Sequence, residues 1–190
     1  MMKQLNFDAE LTLIRSDRKT LSVQLRPDEI IVRAPMRMKE KDIYSFIESK
    51  REWIEKNLAK IKARQKTIDK EKPFTEAEIK ALAERARVII AERVKYYAPK
   101  VGVTYNRITI RCQRTRWGSC SSKGNLNFNC LLALFPIEII DSVVVHELCH
   151  RKHMNHSPQF YAEVERVFPE YRKYHRMLDE KGAVYMGRLK

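Results

Sequence analysis

The stretch Val143-Val144-Val145-His146-Glu147-Leu148-Cys149-His150 carries the residue types from which a hydrolytic metal centre can be built. Three β-branched apolar residues, then His, Glu, an apolar residue, Cys and His, read as a buried helix with one polar stripe. Positions i and i+4 of a helix lie one above the other, roughly 6 Å apart along the axis. His146 and His150 can therefore reach one zinc ion at Zn–N distances of about 2.0–2.1 Å. Glu147 points to one side of that pair, where it can hold and deprotonate a water on the metal instead of ligating it. The approach from Ile137 to Val145, with Ile139, Ile140, Val143 and Val144, makes the helix a core element. A buried His-Glu-His stripe without a function would leave costly unsatisfied polar groups.

A third ligand must come from a different direction. On a continued helix His153 would stack one turn beyond His150, in line with the pair. The segment Met154-Asn155-His156-Ser157-Pro158 instead reads as a turn, with Asn155 suited to a helix C-cap and Ser157-Pro158 to the N-cap and N1 of a new helix. His156 is thus the expected third ligand. His153 is expected to orient a ligand or to face solvent.

The run VVVHELCHRKHMNHSPQFY resembles the YgjP-like metallopeptidase family, a zincin group related to the SprT-like and WLM zinc proteases. RTRWGSCSSKGNLNFN resembles that family's other signature, and the likeness covers roughly residues 10–180. It implies a zincin-like domain with one Zn2+ per chain on His146, His150 and His156, and Glu147 as general base. An all-His site does not by itself select zinc over manganese, nickel or iron.

With 190 residues and 44% hydrophobic content the chain suits one domain, or one domain with an N-terminal extension. No run approaches the ~20 apolar residues of a transmembrane helix, and Met1 to Arg15 reads as amphipathic rather than as a signal peptide. Cys112, Cys120, Cys130 and Cys149 form no CxxC pair and read as reduced, buried thiols of a cytoplasmic protein. The net charge is +14. Between Glu92 and Glu138 there is no acid, while Arg93, Lys95, Lys100, Arg107, Arg111, Arg114, Arg116 and Lys123 fall there. Such a field suits acidic substrates: acidic peptides, phosphates or nucleic acid.

The fold class expected is α+β. Residues 7–15, 19–25 and 30–32 read as a small antiparallel N-terminal sheet, followed from Lys39 to about Gln65 by helix, broken near Ser49, with Trp53 in the core. A hinge near Pro73 divides residues 1–72 from a catalytic region, 73–180, with 181–190 as a flexible tail. Thr75-Glu76-Ala77-Glu78 opens a long amphipathic helix that ends before Pro99 and packs behind the HExxH helix. Residues 108–112 read as a strand, and a Lys123-Gly124 turn joins the two arms of a hairpin ending in Asn125–Asn129. In zincins an edge strand above the metal receives extended substrate. Arg114, Arg116, Trp117 and Ser119 are accordingly candidate substrate contacts, although Trp117 and Gly118 could also simply shape the hairpin. A last helix from Glu170 to Asp179 bears Tyr171, Tyr174 and His175, any of which could orient a ligand or hold an oxyanion.

The reading is a zinc-dependent hydrolase of the metallopeptidase type. Two alternatives keep the metal. Some family members carry a nucleoside-triphosphate (UTP) pyrophosphatase label, and SprT-like relatives act on DNA-bound proteins.

Overall fold

The computed structural model describes residues 6–189. The chain is α+β and divides between Lys70 and Glu71 into two compact units. In the first, strands β1 (Glu10–Ser16), β2 (Ser22–Leu25) and β3 (Glu29–Pro35) form a sheet in the order β1-β3-β2. The sheet is mixed rather than antiparallel throughout: β3 pairs antiparallel with β2 but parallel with β1, with Leu11 opposite Ile30. The reason lies in β3. Its Ile30, Ile31 and Val32 are all buried, so it takes the central place and separates the two more polar strands. Helices α1 (Glu40–Ser49) and α2 (Arg51–Lys70) break at Lys50. Ile43, Ile47, Ile54 and Leu58 close the core over Ile30 and Val32. Trp53 is outside that core, 51% exposed, because Ile54 and Leu58 define the buried face and Trp53 lies beside it.

In the second unit, α3 (Glu76–Val101) starts on a complete capping box. Glu78 N donates to Thr75 Oγ1, and Thr75 N donates to Glu78 Oε2 at 2.8 Å. The helix does not stop before Pro99. Its last turn carries Pro99, since Ala98 and Val101 are buried and Gly102, at φ +75°, donates to the free carbonyls of Ala98 and Pro99. Strands β4 (Arg107–Arg111), β5 (Gly118–Cys120) and β6 (Asn125–Asn129) follow, in the order β4-β6-β5. The hairpin between β5 and β6 turns at Gly124, whose φ of +77° suits glycine. After a 3-10 turn, Cys130–Leu134, come α4 (Ile137–Cys149), α5 (Pro158–Val167) and α6 (Tyr171–Gly187).

Helix α4 is the core: α3, β6, α5 and α6 all bury apolar residues against it, among them Ile90, Val94, Phe128, Phe160 and Leu178. Of the expected loose tail, 181–190, residues 181–189 are ordered into the unit. Helix α6 runs through Gly187, and Leu189 is buried with Phe74, Cys130 and Leu131, while Phe74 N donates to Arg188 O at 3.1 Å. Lys190 lies outside the described residues. The cysteines also differ from expectation. Cys130 and Cys149 are buried, Cys120 is half-buried, and Cys112, just past the end of β4, is exposed. Among the described residues no helix is long and apolar enough to cross a membrane.

Two polar clamps hold α4 and its following turn. Asp141, 4% exposed, accepts two bonds from Arg93 of α3 (2.6 and 2.7 Å) and one from the Tyr97 hydroxyl (3.1 Å). Asp141→Ala leaves the guanidinium without its bidentate partner and should cost about 2–3 kcal/mol in urea unfolding. Glu163 of α5 binds Arg166 and also Lys152 of the turn after α4. The hydrogen bond from Arg166, then that from Lys152, holds its carboxyl down at about 2. A depressed carboxylate contributes stability above its unfolded value of 4.5 and loses it as pH falls toward 2. Wild type and Glu163→Gln should therefore differ in denaturant midpoint at pH 7 and converge in that acid window.

Candidate metal centre

Helix α4 delivers His146 and His150 to one face and ends at Cys149, with His150 as its C-cap. The chain then turns through residues 151–156, and Ser157 Oγ caps α5 by accepting from Phe160 N. Asn155 has no part in the cap of α4, which stops earlier than the sequence suggests. This turn brings His156 back over the helix. Its Nε2 lies 3.0 Å from His146 Nε2, and His150 Nε2 lies 3.2 Å from the same atom. Nitrogens bound tetrahedrally to one zinc at 2.0–2.1 Å stand roughly 3.3 Å apart. The three imidazoles are the group of metal-competent side chains found among the described residues.

The hydrogen bond behind His150 sets its tautomer. His150 Nδ1 sits 2.9 Å from the His153 carbonyl, which can only accept, so the proton is on Nδ1 and the Nε2 lone pair points inward. His153 thus acts through its backbone, and its ring is not a ligand. His146 Nδ1 lies 2.9 Å from the Tyr171 hydroxyl. Phe160 supports both rings from below, at centroid distances of 4.9 and 4.6 Å. Burial, aided by the neighbouring His150, His175 and His156, drives His146 down to about 3. Burial likewise lowers His150. Both rings are therefore kept neutral, as metal ligation requires.

Glu147 is 5% exposed and its Oε2 has no partner. Burial lifts its carboxyl to about 8, against a lowering influence from Arg116. Directly over it lies Gly118 of β5: a Cβ there would come within 2.4 Å of Glu147 Oε1. The missing side chain is what lets this edge strand approach the helix. Converging imidazole nitrogens beside a carboxyl with an unpartnered oxygen fit a zinc-type cation with one side left for a reactant. The centre opens into a cleft of about 280 Å³ walled by Trp117, Val143, Tyr161, Tyr171 and His175.

Of the substrate-contact candidates, Arg114 and Arg116 are exposed, and Arg116 is the one whose charge reaches Glu147. Ser119 Oγ accepts from Asn127 within the sheet. Trp117 lines the cleft, yet its ring is fixed by Phe135 (5.5 Å, edge-on) and by Gly182, where a Cβ would fall 2.3 Å from the indole. Tyr174 is elsewhere, packed on Phe168. Tyr161 and Val143 were not anticipated at the site. The position of Tyr161 beside Phe160, at the start of the helix after His156, was the available signal.

The sequence matches the YgjP-like metallopeptidase domain over residues 19–82 and 74–181. Two solved structures are similar to part of it. The metallopeptidase zymogen abylysin of Pyrococcus abyssi is 23% identical over 49% of this chain and 95% of its own, with a TM-score of 0.45. The metallopeptidase zymogen jannalysin of Methanocaldococcus jannaschii is 22% identical over 48% and 95%, with a TM-score of 0.44. No curated protein matches the sequence.

Tyr171→Phe removes the hydroxyl that orients His146 while leaving the ring in place. Zinc affinity, measured by competition with a chromophoric chelator, should weaken about 10–100-fold with little change in melting temperature. Unchanged affinity would show that the hydroxyl does not set the ligand.

Proposed function

Because the chain belongs to the YgjP-like metallopeptidase family, we propose that it is a zinc-dependent peptidase in which His146, His150 and His156 hold the metal and Glu147 is the general base. The observation that carries this reading is the convergence of three imidazole nitrogens beside a buried Glu147 carboxyl whose Oε2 has no partner, under a glycine-faced edge strand. Zinc, when bound there, supplies a Lewis acid that polarises a carbonyl and lowers the pKa of water to around 7.

The protein's own groups do the rest. Glu147 takes a proton from the attacking water and returns it to the leaving amide nitrogen. Burial raises this carboxyl, and a cation on the three imidazoles would lower it again, so that it could act as base and then as acid. Strand β5 pairs with β6 on one side only. Its other edge can take an extended peptide by strand addition, laying a peptide bond beside Glu147. Exposed Arg116 stands at the mouth to meet an acidic side chain of that peptide, with Arg114 nearby in sequence. Four free cysteines suit a reducing, cytoplasmic setting.

No observation favours the triphosphate pyrophosphatase reading. Glu147 is the one carboxylate lining the cleft, whereas magnesium–phosphate chemistry usually assembles several. The basic surface alone does not argue for nucleic acid.

The test compares zinc-loaded wild type with Glu147→Gln on quenched fluorescent peptides and denatured casein, with pyrophosphate release from nucleoside triphosphates in parallel. Peptide cleavage should fall about 10²–10⁴-fold in the variant while zinc stoichiometry is kept. Equal cleavage by both proteins, or pyrophosphate release lost only in the variant, would overturn the proposal.

A further inference from the structure

Hydrolysis of an amide needs a hydrogen-bond donor where negative charge develops on the attacked carbonyl oxygen, in addition to a metal and a base. The cleft offers few side chains for this. The three ligand imidazoles point at one another. Tyr161, Tyr171, Trp117 and His175 remain; the Trp117 ring is seated against Phe135 and Gly182, and the Tyr171 oxygen is held 2.9 Å from His146 Nδ1.

His175 follows Tyr171 by four residues on α6, so both occupy one face of that helix. Its ring lies parallel to His146, 2° between planes and 5.9 Å between centroids, and packs on Tyr171 at 4.9 Å. It stands outside the group of nitrogens close enough to share a cation. It also lines both the cleft over Glu147 and the adjoining hollow of about 470 Å³. Its Nδ1 is sealed in protein without a partner. A buried N–H with no acceptor is costly, so the proton belongs on Nε2, the nitrogen left to the cleft.

We infer that His175 is a catalytic residue, donating its Nε2–H to the oxygen of the attacked carbonyl. This rests on the peptidase reading above. The ring transfers no proton; it supplies a fixed dipole in a cleft it shares with Tyr161 and Tyr171, where such a bond strengthens as charge develops. The division of work along α6 follows: Tyr171 orients a ligand, and one turn later His175 faces the reactant.

The experiment uses the zinc-loaded full chain with His175→Phe, His175→Gln and Tyr161→Phe. Three quantities are read: steady-state peptide cleavage, zinc stoichiometry, and inhibition by a phosphinic peptide, whose anionic oxygen imitates the developing charge. His175→Phe should lower kcat about 10²–10³-fold with KM within about twofold, bind zinc as wild type does, and lose phosphinic-peptide affinity by a similar factor. His175→Gln keeps an N–H donor and should recover part of both losses. Should the Phe variant fail to fold, His175→Ala takes its place. Unchanged kcat in the donor-less variant together with the loss in Tyr161→Phe would move the role to Tyr161 and overturn the assignment. Loss of zinc in step with activity would make His175 a support of the metal site instead. A wild type that cleaves no peptide would remove the premise before any variant is compared.

Discussion

Everything in the second unit depends on keeping a charged or chargeable stripe inside an apolar helix. Val143, Val144, Val145 and Leu148 commit α4 to the core, and they carry Glu147 and His150 in with them. Burial of that kind is unfavourable unless each polar atom finds a partner. The histidines are answered by the Tyr171 hydroxyl and the His153 carbonyl. The carboxylate Oε2 is not answered at all. His175 Nδ1, on the same cleft, is also without a partner, and both atoms border the space into which the three imidazoles converge.

Two close approaches fix what lies above that atom. Gly118 lets β5 descend onto Glu147, and Gly182 lets α6 receive the Trp117 ring that precedes Gly118. Asn129 adds to this by donating to the carbonyls of Gln113 and Arg116, so the loop leading into β5 is tied to the end of β6. The roof of the cleft is therefore set by backbone and rigid rings. Arg114 and Arg116, in the loop before β5, remain exposed. This arrangement suits a site that must hold its chemistry still while accepting varied side chains.

Helix α6 links these features. It supplies the Tyr171 hydroxyl, the His175 ring, the Gly182 seat for Trp117, and Tyr185 against Phe135. Its last turns are pinned through Arg188 and Leu189 to the start of the unit, beside Phe74. The final stretch of chain thus braces the metal centre from behind, which its Lys- and Gly-containing composition does not advertise.

What the sequence determined by itself was local. Helical spacing placed His146 and His150 on one face, Ser157-Pro158 announced a new helix, and Thr75 with Glu78 opened a capped one; each depends on residues within a turn or so of one another. The turn before Ser157 also pointed to His156 over His153, and His156 does lie with His146 and His150. What tertiary structure decided were relations between distant segments: β3 taking the middle of its sheet, Trp53 facing out, α6 folding back over the site, and Tyr171, His175 and Gly118 meeting around Glu147. Such contacts depend on which faces find one another after collapse. Periodicity along one segment carries no record of the partner that a second segment, fifty residues away, will present to it.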